Sequence, residues 1–186
     1  MTGSAPGFAI VAVLLVALGA CNVRSDADFE TEALADAAAA VARKDTAAAV
    51  LTLKEHLQRQ PESAAARLAL GQLLLEQGEA DAAQIELAKA ESLGMEPARV
   101  VPLRARALLA SGKAAEVIER YRALQLADPK AHAELHISVA MAAAATGATE
   151  LAQSQLADAA RGGPDLPRAT LLRARLELAA GQPQAA

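Results

Sequence analysis

The sequence predicts an all-α fold made of repeated helical hairpins. Alanine and leucine dominate its 186 residues, and both are strong helix formers because they lose little side-chain freedom on entering a helix. Aromatic residues make up only 2% of the chain, and valine and isoleucine are also too sparse to build a sheet. Glycines also recur at a nearly constant spacing, which indicates that one structural unit is repeated.

The recurring glycines lie in similar sequence segments. Gly78, Gly112, Gly147 and Gly181 are 34, 35 and 34 residues apart. Each lies between two helical segments, in LLEQGEADAA, LLASGKAAEV, AAATGATELA and LAAGQPQAA. Glycine suits a helix end because it adopts the left-handed conformation without a steric cost. This helix–turn–helix period resembles that of the tetratricopeptide repeat (TPR) family, which implies an α-solenoid.

The period divides residues 30–186 into units at 30–63, 64–97, 98–131 and 133–166, with a partial unit at 167–186. Small residues are expected where the two helices of a unit touch, as at Ala37, Ala49, Gly71, Ala83, Ala105, Ala140 and Ala152. Val117 replaces alanine in the third unit and predicts a wider contact there. Pro102 predicts that the first helix of that unit begins near it, because proline is best tolerated in the first helical turn.

The fifth unit stops one or two residues into its second helix. A solenoid normally ends in a capping helix with a polar outer face, whereas here an apolar face of leucines (Leu171, Leu172, Leu176 and Leu178) would be left open. We therefore expect this chain to be the N-terminal portion of a longer protein.

The N-terminus resembles a targeting signal for secretion. Residues 8–20 form an uncharged apolar run of 13 residues, which is too short for a membrane span of about 20 residues and is typical of a secretory signal peptide. The run ends in Leu18-Gly19-Ala20-Cys21, which resembles the lipobox of bacterial lipoproteins. This implies a cleaved signal peptide at residues 1–20, a lipidated Cys21, and a tether up to residue 29.

Residues 1–7 depart from the lipoprotein pattern because they contain no Lys or Arg. The alternative is an ordinary signal peptide followed by a free or buried cysteine. Since Cys21 is the only cysteine, the chain can form neither an intrachain disulfide framework nor a cysteine-based zinc site.

Longer sequence segments make the resemblance to one group of TPR proteins more specific. They are residues 53–94, VVPLRARALLASGK at 100–113, and the motifs Asp128-Pro129-Lys130-Ala131 and Ala133-Glu134-Leu135. Together with the lipobox they resemble the TPR lipoproteins of the PEP-CTERM/exosortase system, called PrsT. The resemblance implies a Gram-negative cell envelope, a periplasm-facing lipid anchor, and a scaffold linked to exopolysaccharide production and protein sorting. Asn22, rather than Asp, after the cysteine favours the outer membrane.

Motifs of catalysis, cofactor binding and metal binding are not found, so we expect no enzyme, no cofactor and no metal. His132 and His136 are four residues apart, but Ala133 stands where a zinc-protease motif needs Glu. We expect His132 in the turn between units and His136 facing a neighbouring helix. We expect His56 late in the second helix of the first unit, as a boundary residue. The net charge is −4 with no basic block, so no nucleic-acid partner is expected.

The expected binding surface is the concave face lined by the first helix of each unit. The TPR groove positions in this chain are Leu68, Gln72, Glu76, Arg99, Arg106, Glu134, Met141, Arg168 and Arg175. The four arginines predict a cationic section that suits an acidic peptide, a C-terminal carboxylate or an anionic polysaccharide. The alternative is that these arginines are solvated and only keep the array soluble.

Three functions follow from these expectations. The first is an envelope scaffold, anchored in the membrane by lipid, that binds a protein or peptide partner. The second is a structural tether for a larger downstream domain, or a TPR protein of another envelope assembly. The third is an enzyme or carbohydrate-binding module whose active part lies beyond residue 186. A small-molecule substrate is not expected for this piece.

Overall fold

The computed structural model describes residues 26–162, 167–179 and 181. The predicted signal peptide, Cys21 and the first part of the tether lie outside the described residues. So do residues 163–166, at the end of the fourth predicted unit, and residues 182–186, where the second helix of the fifth unit is expected to begin.

The described ranges form α-helices joined by short turns, with no strand among them. In chain order the helices are α1 (Asp26–Ala42), α2 (Thr46–Arg59), α3 (Ala64–Glu76), α4 (Ala80–Ser92), α5 (Pro97–Ala110), α6 (Ala114–Tyr121), α7 (Pro129–Ala145), α8 (Thr149–Gly162) and α9 (Pro167–Ala179). The first eight pair into four consecutive hairpins, and α9 follows as the first helix of a fifth unit. The predicted all-α, TPR-type α-solenoid is confirmed.

Helix α1 begins earlier than expected, and the last four residues of the predicted tether belong to it. Asp26 and Asp28 lie in its first turn, where negative charge interacts favourably with the helix dipole. The side-chain amide of Gln60 also donates a hydrogen bond to the Asp26 carbonyl at 3.0 Å. The first turn of α1 is therefore tied to the end of α2, a contact that local sequence does not reveal.

The turn inside each hairpin contains a residue in the left-handed backbone conformation. The prediction for the four recurring glycines is confirmed: for example, Gly78 has a φ of 83° and Gly112 a φ of 75°. In the first hairpin Lys44 takes the equivalent position with a φ of 62°. A search for glycines alone could not find it, although it lies 34 residues before Gly78.

The second hairpin contains a close helix–helix contact at Gly71. A Cβ atom on Gly71 would lie 2.7 Å from Cγ of Leu87 and 3.3 Å from its backbone nitrogen. Real side chains do not approach so closely, so α3 and α4 can adopt this spacing only with glycine at position 71.

The start predicted for the first helix of the third unit is wrong. Helix α5 begins at Pro97 and runs through Pro102. Pro97 suits the first helical position, and the turn after it places Val100 and Val101 in the core, where they are at most 4% exposed. Burial of these side chains offsets the one backbone hydrogen bond that Pro102 cannot donate.

The third hairpin differs most from the repeat. Helix α6 has only 8 residues and ends at Tyr121, so Leu124 lies in the connecting segment. Helix α7 begins at Pro129, where the Asp128 carboxylate caps it by accepting a bond from the Ala131 nitrogen at 2.7 Å. The expectation that His132 lies in a turn is therefore wrong, because this cap starts the helix before it.

The buried side chains form two clusters that meet at α7. One cluster joins α1 to α6 and includes Leu135 and Val139 of α7. The other joins α8 and α9 to Ile137 and Ala140 on the other side of α7. Helix α7 therefore packs on both sides and links the two halves of the array.

Within the described ranges, no helix combines the length and the apolar character needed to cross a membrane.

Candidate binding groove

The first helices of the units lie side by side. Helix α1 contacts α3, α3 contacts α5, α5 contacts α7, and α7 contacts α9. All nine predicted groove residues belong to this row, on α3, α5, α7 and α9. The topology therefore brings helices that are distant in sequence into one row.

Three of the predicted residues, on the first helices of three consecutive units, are half-buried. They are Arg106 of α5, Glu134 of α7 and Arg168 of α9. Burial lowers the pKa of the Arg168 guanidinium, the nearby charge of Arg106 lowers it further, and the Glu134 carboxylate raises it. We call these three side chains the arginine cluster. It combines two cations and one anion, and burial removes part of the water around Arg168.

The other predicted residues are placed differently. Arg99 and Arg175 are exposed, and Met141 is half-buried against the second core cluster. Gln72 and Glu76 are exposed on α3, where the Gln72 amide donates to the Glu76 carboxylate at 3.3 Å. These residues can contribute to a surface, but the structure shows no contact between them and the arginine cluster among the residues it describes.

Leu68 is a wrong prediction. It is only 6% exposed and belongs to the core. Helix α3 packs against α1, α2, α4 and α5, so this apolar side chain is enclosed by its neighbours instead of lining a groove.

Comparison with known proteins agrees with this architecture. A family model described as tetratricopeptide repeat matches residues 40–107. Among solved structures, the chain is similar to a tetratricopeptide repeat protein from Parabacteroides merdae ATCC 43184, with a TM-score of 0.65 and 20% identity. The match covers 82% of this chain and 60% of that one.

This chain has the tetratricopeptide-repeat fold. At 20% identity the solved structure supports the fold alone, and the chain spans only 60% of its length. No curated protein matches the sequence.

Two histidines that the sequence analysis singled out stabilise an irregular part of this TPR fold. Buried His136 places Nδ1 2.6 Å from Oε1 of Gln155 on α8, and Nε2 3.2 Å from the Leu124 carbonyl. Gln155 in turn donates to the Arg122 carbonyl at 3.3 Å. These two side chains therefore bind backbone carbonyls between α6 and α7. If α6 were longer, those carbonyls would accept hydrogen bonds within the helix.

His132 lies beside His136, with ring centroids 4.1 Å apart. Burial lowers the pKa of His132, and the charges of His136 and Arg161 lower it further. The described part of the chain contains no group of three His, Cys, Asp or Glu side chains arranged to hold a metal ion.

His56 lies late in α2, as expected, but it is buried and only 6% exposed instead of standing at the boundary of the core. Its Nε2 has no hydrogen-bond partner among the residues that the structure describes. Its burial was not expected from the sequence, because Thr52, Glu55, His56 and Arg59 are spaced so that four polar side chains lie on one face of the helix.

Proposed function

We propose that this chain is a non-catalytic scaffold that binds a protein or peptide partner through the surface formed by its first helices. TPR arrays characteristically use their extended concave surface for binding. The observation that supports a specific site is the arginine cluster, because it joins α5, α7 and α9 at one charged, half-buried position.

The chemistry of the cluster favours an anionic partner group. The cluster contains two guanidinium groups and one carboxylate, so its own net charge is positive. A guanidinium offers a planar fork of N–H donors that matches a carboxylate. Because burial reduces screening by salt, a carboxylate placed there interacts more strongly than it would with the exposed Arg99 or Arg175. An acidic peptide or a C-terminal carboxylate is the expected ligand.

The proposed location is the cell envelope of a Gram-negative bacterium, with a lipid anchor on Cys21 and a weak preference for the outer membrane. The support is the apolar segment at residues 8–20 that ends in a lipobox-like sequence. Several acyl chains would anchor the protein firmly, at about 0.8 kcal/mol for each buried methylene. The phrases that resemble PrsT further suggest a role in exopolysaccharide production and PEP-CTERM/exosortase sorting.

The groove is tested with a fluorescent acidic peptide that has a free C-terminal carboxylate. In the double variant Arg106→Glu and Arg168→Glu, we expect fluorescence anisotropy to show roughly tenfold or weaker binding, about 1.4 kcal/mol or more, because the cluster becomes negative. The control Arg43→Glu and Lys54→Glu reverses two exposed charges on the first hairpin and should bind as the wild type does. Equal weakening by both double variants would show only a general charge effect. Unchanged binding by the Arg106→Glu and Arg168→Glu variant would contradict the proposed site.

The anchor is tested by metabolic palmitate labelling and membrane fractionation. Wild type should carry the label and sediment with membranes, and Cys21→Ser should lose both properties. A soluble, unlabelled wild type would contradict the lipoprotein proposal without affecting the peptide-binding measurement.

A further inference from the structure

Two adjacent histidines contact the segment between α6 and α7, and each contact needs a different protonation state. Nε2 of His136 lies 3.2 Å from the Leu124 carbonyl oxygen, and Nδ1 of the same ring lies 2.6 Å from Oε1 of Gln155. Nδ1 of His132 accepts a long hydrogen bond from the backbone N–H of Leu126 at 3.5 Å. The ring centroids are 4.1 Å apart. One ring therefore faces two acceptors, and the other ring is itself an acceptor.

The contacts of His136 cannot both be hydrogen bonds while its ring is neutral. Neutral imidazole carries one N–H donor, on either nitrogen, and the other nitrogen is an acceptor. If Nδ1 carries the proton, the bare Nε2 faces the Leu124 oxygen. If Nε2 carries it, the bare Nδ1 faces Oε1 of Gln155. Because His136 is fully buried, either tautomer leaves two acceptors opposed where an unpaired polar atom is costly.

Turning the Gln155 amide over does not remove the conflict. Its Nε2 donates to the Arg122 carbonyl oxygen at 3.3 Å. After a flip, the amide nitrogen could donate to Nδ1 of His136, but the amide oxygen would then face the Arg122 carbonyl. All three contacts are satisfied at once only when both ring nitrogens of His136 carry protons. The imidazolium then donates to Leu124 and to Gln155, and Gln155 donates to Arg122.

The neighbouring groups decide which ring can hold a proton. Burial lowers the pKa of His132, and the charges of His136 and of Arg161 on α8 lower it further. A proton on Nδ1 of His132 would also remove the acceptor of its contact with the segment. The titratable groups at the adjoining ends of α6 and α7 are Tyr121 and Asp128, and the Asp128 carboxylate is already bonded to the first turn of α7. The surroundings therefore keep His132 neutral.

From these contacts we infer that His132 and His136 form a proton-dependent clamp on residues 122–128. In mild acid the pair takes up one proton from solvent, which His136 holds while His132 stays neutral. His136 then donates to Leu124 and His132 accepts from Leu126, so every contact of the pair is satisfied. At higher pH the pair is neutral, and His136 loses one of its two bonds. The clamp sets how firmly the segment that leads into α7 is held, and it does not depend on the binding function proposed above.

The test follows the ring ¹⁵N resonances of the labelled full chain in detergent between about pH 7.5 and 5, the range in which histidine side chains titrate. These resonances distinguish the doubly protonated ring from each neutral tautomer. We expect His136 to become doubly protonated first, while Nδ1 of His132 keeps the resonance of an acceptor nitrogen. The backbone N–H of Leu126 should stay protected from hydrogen exchange over this range, after correction for the intrinsic dependence of exchange on pH.

Variants separate the clamp from ordinary histidine titration. Gln155→Leu removes one acceptor, so the ratio of doubly protonated to neutral His136 at about pH 6 should fall about tenfold. The matched control Gln153→Leu changes an exposed glutamine on the same helix and should leave that ratio unchanged. His136→Asn removes the neighbouring charge, so His132 should take up a proton at a higher pH than in the wild type. The protection of the Leu126 amide should be lost as it does.

Three results would overturn the inference. They are a wild type in which His132 becomes doubly protonated before His136, a wild type in which His136 stays neutral over the whole range, and equal effects of Gln155→Leu and Gln153→Leu. If His136→Asn does not fold, the two glutamine variants still decide the outcome, because both retain the histidine pair.

Discussion

The second and third hairpins occupy equivalent positions in the repeat, yet they pack in different ways. In the second, Gly71 lies against Leu87, and α4 continues for 13 residues. In the third, the positions 34 residues later hold Ala105 and Tyr121, and α6 stops after 8 residues. Helices α5 and α6 also contact each other less extensively than α3 and α4 do.

The difference shows how the fold tolerates larger residues at a helix contact. Val117 and Tyr121 stand where the second hairpin has Ala83 and Leu87, and both are buried. The hairpin with the larger side chains keeps only a short second helix. Polar side chains from α7 and α8 then pair with the backbone that the missing helical turn leaves open.

The largest expected effect is at the close contact of the second hairpin. Leu87 is fully buried, so Leu87→Ala should lower the free energy of unfolding by about 3 to 4 kcal/mol through lost burial and a cavity. Ile85 on the same helix is 56% exposed, and Ile85→Ala should change stability by less than about 0.5 kcal/mol. Urea denaturation followed by circular dichroism measures both, and similar losses would contradict the assigned packing.

The second-largest effect on stability is expected at the polar contacts of the third hairpin. His136→Ala removes the ring that contacts both the Leu124 carbonyl and the Gln155 side-chain amide, at a cost of about 2 to 3 kcal/mol. Hydrogen exchange should accelerate in residues 122–128 more than in α3 and α4. As a control, His132→Ala removes a half-buried ring and should affect this segment less. Unchanged exchange in the His136 variant would show that the segment is held in another way.

Gly71 should show a smaller effect that tests the spacing of α3 and α4. Alanine is the better helix former by about 1 kcal/mol, but its Cβ would collide with Leu87, and overpacking costs about 1 to 3 kcal/mol. We therefore expect Gly71→Ala to destabilise the fold by about 1 kcal/mol in the same denaturation assay. A stabilised variant would mean that the two helices can move apart as α5 and α6 do.

The smallest effect concerns the pH dependence near the third hairpin. The pKa of His132 is lowered in the folded chain from its ordinary value of 6.5, so the unfolded chain binds a proton more readily. Stability should therefore fall as the pH drops through about 6.5 and level off below the folded-state pKa. Melting temperatures between pH 7.5 and 5 should decline less in His132→Asn. Equal slopes in both proteins would exclude this contribution.

The sequence predicted the regular parts of the molecule because they depend on local patterns. The glycines at 78, 112, 147 and 181 adopt the expected left-handed conformation, and the alanines at the helix contacts are buried. The predicted helix boundaries at Pro102 and His132 were wrong. Burial of Val100 and Val101 outweighs the local preference for a helix that begins at Pro102. The cap by Asp128 starts the next helix before His132. The burial of Leu68 was not predicted, because it depends on helices from several units that pack around α3.

By itself the sequence determined the helical class, the period and the places where each hairpin turns. These follow from helix propensity, from glycine at left-handed positions, and from a spacing that recurs along the chain. Only the tertiary structure decided which side chains meet across units. It brings Arg106 and Glu134 within electrostatic reach of Arg168, and it buries His56 in the first hairpin. Both outcomes depend on how helices that are distant in sequence approach one another, which no local pattern specifies.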